Sequence, residues 1–136
     1  MILYKSAPIL TTFSTLGNIT SVLNKRFKID GWLYNHFIQL SAGNLYKFTY
    51  QKRMYLDCPF LESHSIPDYL IGNIIEFIES SIENNFYLFF LVDRYYLENY
   101  KEYHKEHVVH EIFVYGYDKS NQIFYTSDNS INYKYQ

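Results

Sequence analysis

The sequence predicts an α+β domain, because helical periodicity dominates its first half and strand-like patterns dominate its second half. The helical signal is strongest between residues 65 and 85, where isoleucines recur at three- and four-residue spacing. Residues 86–126 instead contain apolar runs separated by clusters of turn-forming residues. At 136 residues the chain has the length of one domain with an ordinary core. We therefore expect a single domain over residues 1–136.

Two helices are predicted near the N-terminus. Residues 15–25 carry apolar side chains at helical spacing, and Asp30 is suited to cap the start of a second helix. The apolar residues are Leu16, Ile19, Val22 and Leu23 in the first helix and Trp32, Leu33, Phe37, Ile38 and Leu40 in the second.

A strand and a third helix are predicted next. Alternating aromatic residues predict a strand over residues 45–56. Ser65 and Asp68 resemble a capping box, and Pro67 between them suits a first helical turn, so we expect the third helix to begin there. It is expected to end near Asn84, with one broad apolar face made of Leu70, Ile71, Ile74, Ile75, Phe77, Ile78 and Ile82.

The last third of the chain predicts a mainly antiparallel sheet. Residues 86–92 are apolar on both faces, as is typical of a central strand. Residues 108–117 and 122–126 predict two further strands, and residues 132–135 are a candidate fourth. The segment Asp-Lys-Ser-Asn at residues 118–121 is typical of a hairpin turn.

Composition narrows the class of protein. The formal charge is −2 at pH 7, so no basic surface for nucleic acid is expected. The longest apolar run, residues 86–92, is far shorter than the roughly 20 residues that a membrane-spanning helix needs. The single cysteine, Cys58, excludes an internal disulfide and fits a reducing compartment. We expect a cytoplasmic protein that binds neither nucleic acid nor a membrane.

His110 and Asp128 are the first candidates for a functional site. His110 lies within an apolar strand, where its ring nitrogens need polar partners. Asp128 follows the neighbouring strand and could orient His110 as a general base. The alternative is a structural histidine bonded to a backbone carbonyl or to a tyrosine hydroxyl, and the local sequence leaves both interpretations open.

The charged, tyrosine-rich segment 93–107 is expected to cross the surface between two central strands, where loops often carry function. Asp93 follows an apolar run and is either a functional carboxylate or an ordinary strand end. His104, His107 and His110 recur at every third residue, but strand alternation would place His107 and His110 on opposite faces. Zinc requires convergent ligands. We therefore expect no metal and no cofactor.

Four short sequence segments occur in a fixed order along the chain. The four together, in this order, are a more specific signal of a protein family than any one of them alone. They are Leu33-Tyr-Asn-His-Phe-Ile-Gln-Leu40, Cys58-Pro-Phe-Leu61, Val92-Asp-Arg-Tyr-Tyr96, and the strand from His110 to Tyr117-Asp118. Together they resemble the N-terminal domain family of butirosin biosynthesis protein H. The resemblance runs from about Thr11 to Asn129.

The resemblance implies a papain-like cysteine-peptidase fold and acyl transfer or amide chemistry through Cys, His and Asp. By motif position, His110 matches the family histidine and Asp128 the orienting acid. The butirosin enzyme moves an acyl group from a carrier protein to an amine, so a carrier protein, a peptide or an amine is the implied partner. The chain is then either a whole domain or the N-terminal part of a longer architecture.

The chain departs from this family at the nucleophile. The family cysteine lies at the N-terminus of the first core helix, where the helix dipole lowers its pKa. Gly17 is predicted at that position, and no cysteine lies nearby. Ser14, Thr15 or Thr12 could replace the thiol, although a hydroxyl is far less acidic and needs stronger activation.

Three hypotheses follow. The first is a non-catalytic papain-like protein of a secondary-metabolite or peptide pathway. It would bind a ligand in the cleft that holds the active site in papain-like enzymes, through Asp93, Tyr95, Tyr96 and His107. The second is an acyltransferase or amide hydrolase that uses a Ser or Thr hydroxyl with His110. The third is a structural subunit completed by another chain, for example as a homo-oligomer.

Overall fold

The chain forms helices followed by an antiparallel sheet, consistent with the predicted α+β class. The computed structural model describes residues 1–11, 14–37, 41–42, 48–49 and 58–128. The helices are α1 (Ser14–Leu23), α2 (Asp30–Phe37) and α3 (Ile74–Glu83), and the strands are β1 (Ser41–Ala42), β2 (Phe48–Thr49), β3 (Leu88–Asp93), β4 (Val109–Asp118) and β5 (Ile123–Ser127). Short 3-10 helices cover Asp68–Leu70 and Arg94–Tyr96. None of the helices in these ranges has the length and apolar character that crossing a bilayer requires.

The main sheet has the order β3-β4-β5, with both pairings antiparallel. Its tight turn is the predicted one, because Asp118 accepts hydrogen bonds from the backbone amides of Ser120 and Asn121 at 3.0 and 3.2 Å. The register places His110 opposite Val92 at one end of the sheet. Asp128, one residue beyond β5, lies at the same end.

The N-terminal segment extends this sheet along β4. The amide of Leu3 donates to the carbonyl of Tyr115 at 2.8 Å, and Ile2 forms a bridge opposite Gly116. A Cβ atom on Gly116 would lie 2.8 Å from the carbonyl oxygen of Met1 and 3.0 Å from the Cα of Ile2. Glycine is therefore required at this position by the close approach of the backbone.

Two apolar clusters stabilise the described part of the chain. In the first, Leu3 and Val114 pack against Ile78 and Ile82, so α3 covers one face of the sheet. The second joins α1 and α2 to the loop that contains the cysteine, through Leu16, Ile19, Leu23, Ile29, Trp32, Leu33 and Cys58. The two N-terminal helices were both predicted, and α2 begins at Asp30 as expected.

The third helix begins later than the sequence predicts. Pro67 has an extended backbone and offers no side-chain cap, and only a 3-10 turn follows it. Asn73 is the actual N-cap of α3, because its side-chain oxygen accepts from the amides of Ile75 and Glu76 at 3.0 and 3.3 Å. Leu70 consequently lies before the helix and is exposed.

The prediction that residues 86–92 form a central strand is wrong for the described residues. Within these, β3 is an edge strand, and Leu91 is 77% exposed. An apolar run fits a strand at either place, since its own sequence does not determine its neighbours. The strand predicted over residues 45–56 is described only at Phe48–Thr49, which pairs with Ser41–Ala42, and the candidate strand at residues 132–135 lies outside the described residues.

Candidate functional site

The predicted histidine and carboxylate are in contact at one end of the main sheet. Nε2 of His110 lies 3.1 Å from Oδ1 of Asp128. The Asp128 side chain is 3% exposed and the His110 ring 30% exposed, so the carboxylate is interior and the imidazole is partly open to solvent. Because an ionised carboxylate only accepts, Nε2 carries the proton, and the acceptor nitrogen of a neutral His110 ring is Nδ1. This arrangement suits a base or a hydrogen-bonding group.

The other oxygen of Asp128 binds two residues of the segment between β3 and β4. The Tyr100 hydroxyl donates to Oδ2 at 2.6 Å, and the Arg94 guanidinium lies 3.3 Å from the same atom. Burial, together with the hydrogen bond to Asp128, raises the pKa of Tyr100 well above its ordinary value. Glu102 lies 4.0 Å from Arg94 and is also buried. The segment predicted as a surface crossing therefore contributes three buried residues to the site.

A second histidine–carboxylate pair lies beside the first and faces solvent. His107 donates through Nδ1 to Oδ2 of Asp93 at 2.6 Å, and its side chain is 64% exposed. This hydrogen bond is the main reason that the pKa of Asp93 is lowered. The Tyr95 ring stacks on His107 at 4.2 Å, and Tyr96 approaches both rings from the side. The four residues predicted as ligand-binding, Asp93, Tyr95, Tyr96 and His107, thus form one cluster.

The three closely spaced histidines diverge rather than converge. His110 binds Asp128, His107 binds Asp93, and His104 stacks on Tyr103. In the described ranges, histidines, cysteines and acidic residues form no group of three suited to a metal ion.

A carboxylate from the sheet occupies the N-terminus of α1. Thr15 donates from its hydroxyl to both oxygens of Glu111, at 2.6 and 2.8 Å, and from its backbone amide at 3.1 Å. Glu111 therefore joins β4 to the first turn of α1, and an acidic group at a helix N-terminus is favoured by the helix dipole.

The other candidate nucleophile positions differ in their surroundings. Ser14 is buried at the start of α1 and accepts a hydrogen bond from Asn18 at 3.4 Å. Gly17 lies in the first part of α1, which begins at Ser14, so it is near the start of the helix as the sequence predicts. Thr12 lies outside the described residues.

His110 and Glu111 point to opposite faces of the sheet. β4 pairs with β3 in unbroken register from Val109 to Val114, and side chains alternate along such a strand. His110 therefore shares the face of Val114, which α3 covers, whereas Glu111 shares the face of Phe113. Since Thr15 binds Glu111, its hydroxyl lies on the side of the sheet away from His110.

The single cysteine is part of the core. Cys58 is 5% exposed and packs with residues of α1 and α2. Burial raises the pKa of its thiol, which disfavours the reactive thiolate. Cys58 therefore lacks the environment of a catalytic nucleophile.

Sequence reasoning missed Arg94, Tyr100 and Glu111 as site residues. Two signals pointed towards Arg94, because it lies both in one of the four motif segments and in the charged segment 93–107. Tyr100 and Glu111 look like ordinary surface residues in the sequence, because their roles depend on partners that lie 28 and 96 residues away.

No protein-family model matches the chain, and neither the curated proteins nor the solved structures include a match. The description of the site therefore depends on its own geometry: a buried aspartate that orients a partly exposed histidine, beside an exposed cluster of tyrosine and histidine rings.

Proposed function

We propose that this chain is a non-catalytic, papain-like binding domain, related to butirosin biosynthesis protein H, that takes a peptide, an amine or an acyl-carrier group at the end of its main sheet. The main observation behind the proposal is that the Thr15 hydroxyl is hydrogen-bonded to Glu111, on the sheet face away from His110. A general base must come within hydrogen-bonding reach of the proton that it removes. Asp128 orients His110 as it would orient a general base, but the Thr15 hydroxyl is not placed to serve as its nucleophile.

The exposed cluster beside the pair supports binding. Tyr96 is 67% exposed, and the Tyr95 ring stacks on His107, which is hydrogen-bonded to Asp93. Tyrosine supplies a large contact area with a polar tip, which is why it is common at recognition surfaces. The Asp93 carboxylate, whose oxygens accept from His107 and from the amide of Tyr95, adds a negative charge that would attract an amine. The unpaired, buried Cys58 suits a reducing compartment such as the cytoplasm.

The test combines a turnover assay with a binding assay. The protein is incubated with a fluorophosphonate probe and with S-butyryl-N-acetylcysteamine as an acyl thioester, and then titrated with the thioester and with acetylated tetrapeptide amides while NMR spectra are recorded. We expect no stoichiometric labelling and no turnover above buffer. Ligand-dependent shifts are expected at His107, Tyr95 and Tyr96.

The controls separate binding from catalysis. His110→Ala is compared with His64→Ala, because His64 is an exposed histidine that pairs with Glu62 instead of Asp128. Labelling of a hydroxyl in α1 that disappears in His110→Ala but persists in His64→Ala would overturn the proposal. Absence of any shift with every thioester and peptide would equally count against a binding role at this surface.

A catalytic role is the second candidate, favoured by the 3.1 Å contact between His110 and Asp128. In this alternative, the hydroxyl of Ser14, Thr12 or a rearranged Thr15 attacks the thioester carbonyl while His110 accepts its proton. The C–S bond then breaks, the acyl group stays on the hydroxyl oxygen as an ester, and His110 returns the proton to the leaving thiolate. It predicts that His110→Ala abolishes thioester turnover while the fold is retained. Equal turnover in the wild type and the variant would exclude it.

Assembly with a second copy is the third candidate. The segment before α3 and the first turn of that helix expose several apolar side chains, and Tyr69, Leu70 and Ile75 are each more than half exposed. Contiguous exposed apolar residues often mark protein interfaces. A light-scattering mass equal to the monomer at millimolar concentration would contradict this alternative.

A further inference from the structure

The Asp128 carboxylate divides its two oxygens between different partners. Oδ1 faces Nε2 of His110 at 3.1 Å, whereas Oδ2 receives the Tyr100 hydroxyl at 2.6 Å and lies 3.3 Å from the Arg94 guanidinium. A buried carboxylate without such donors would rotate about its last side-chain bond or take up a proton. The donors on Oδ2 therefore hold the plane of the carboxylate in the orientation that directs its other oxygen at the histidine.

Arg94 and Tyr100 are themselves fixed in place. The guanidinium carbon of Arg94 lies 4.8 Å from the centroid of the Tyr100 ring, and the backbone amide of Arg94 donates to the carbonyl of Val108 at 2.9 Å. The amide of Tyr100 donates to the carbonyl of Leu97 at 3.1 Å. Both donors thus approach Asp128 from a segment that is tied to the start of β4, the strand that carries His110.

We propose that Arg94 and Tyr100 are positioning residues, which fix Asp128 so that its Oδ1 keeps the His110 ring in the tautomer with the proton on Nε2. The two residues act through Asp128 and make no use of an external ligand. The tautomer matters because it determines which ring nitrogen of His110 is the donor and which is the acceptor. The inference deepens the proposed function, since the oriented His110 ring lies beside the exposed cluster to which that proposal assigns binding.

The experiment reads the histidine nitrogens of the free protein. Long-range ¹H–¹⁵N correlation spectra of the ¹⁵N-histidine-labelled chain are recorded through a pH series, and His110 is assigned by its absence from His110→Ala. The wild type is expected to show His110 protonated on Nε2 at the alkaline limit. Tyr100→Phe and Arg94→Gln are expected to let the Asp128 carboxylate turn away from Nε2 of His110, and weakening that bond by about 1 kcal/mol would shift the tautomer ratio roughly fivefold.

Matched variants separate positioning from general stabilisation. Tyr96→Phe removes an exposed hydroxyl of the same segment and is expected to leave the His110 tautomer unchanged. Arg94→Lys keeps the charge but loses the forked geometry, so it is expected to restore part of the wild-type ratio. Amide spectra verify that each variant is folded, and Tyr100→Phe retains almost the whole side-chain volume if Arg94→Gln does not fold.

The outcomes are distinct. If Tyr100→Phe lowers the melting temperature but leaves the His110 nitrogens as in the wild type, the residue is only structural and the inference is wrong. A shift confined to Tyr100→Phe and the Arg94 variants supports it. Because no ligand is added, failure of the binding experiment would overturn the proposed function without affecting this result.

Discussion

Asp93 and Arg94 are consecutive in the chain, yet each belongs to a different histidine–carboxylate pair. Asp93 accepts a hydrogen bond from the exposed His107, and Arg94 reaches the buried Asp128 that binds His110. The 3-10 turn at the end of β3 produces this divergence, because it sends the two side chains in different directions. Any shift of this turn would therefore change both pairs together.

Asp128→Ala should lower the free energy of unfolding by about 3–5 kcal/mol, because it leaves the buried Arg94 guanidinium and the Tyr100 hydroxyl without this carboxylate. Urea unfolding followed by circular dichroism measures the loss. Glu106→Ala, at an exposed carboxylate of the same segment, should stay within about 0.5 kcal/mol of the wild type. Similar losses in the two variants would show that the hydrogen bonds of Asp128 do not stabilise the fold more than an exposed carboxylate does.

Thr15→Val should lower the free energy of unfolding by about 1–3 kcal/mol. It removes the hydroxyl that binds both oxygens of Glu111, while the hydrogen bond from the backbone amide of Thr15 is kept. Thr11→Val, at an exposed threonine, is the control. Because Thr15 lies on the sheet face away from His110, the His110 ring resonances should not move. A large shift of those resonances in Thr15→Val would contradict this placement and would show that Thr15 and His110 belong to one site.

His107→Ala should raise the pKa of Asp93 towards the ordinary value of an aspartate, because the hydrogen bond from His107 is the main cause of its lowering. A carboxylate whose pKa is lower in the folded state stabilises the fold above its unfolded pKa. That contribution is lost as the pH falls through the folded pKa. NMR titration of the Asp93 carboxyl carbon measures the change, and His64→Ala should leave it unaltered.

Gly116→Ala should destabilise the protein by about 1–3 kcal/mol, because its Cβ would lie 2.8 Å from the carbonyl oxygen of Met1. Hydrogen exchange at Leu3 should accelerate as the N-terminal segment separates from β4. Gly31→Ala is the matched control in α2, where nothing lies within 4 Å of the added atom, and should be neutral or stabilising by up to about 1 kcal/mol. Equal effects at the two glycines would contradict the close approach.

The closeness of His110 and Asp128 could be predicted only in part from local sequence. The turn at residues 118–121 has its own chemistry in Asp118, whose side chain accepts from two amides close by in sequence. This turn joins β4 to β5 and brings the start of one strand near the end of the other. The register between the strands shifts between Val114 and Gly116, however, so the turn alone does not determine which side chains meet at the far end.

The start of α3 was predicted less well. Ser65 and Asp68 fit a capping pattern, but Asn73 is also a good cap, and it is Asn73 whose side chain accepts from the first amides of the helix. Because the segment offers two competing caps, its sequence alone leaves the helix boundary open.

The order of helices and strands and the hairpin that joins β4 to β5 could be predicted from the sequence, since each follows from periodicity or from turn-forming residues. The pairing of His110 with Asp128 was one of two interpretations that the local sequence left open. The burial of Arg94 and Tyr100 on Asp128, and the bond of Glu111 to Thr15 at the start of α1, are visible only in the folded chain. The physical reason is that burial of a charged or polar side chain depends on a partner brought from elsewhere in the chain. That partner offsets the cost of removing the side chain from water.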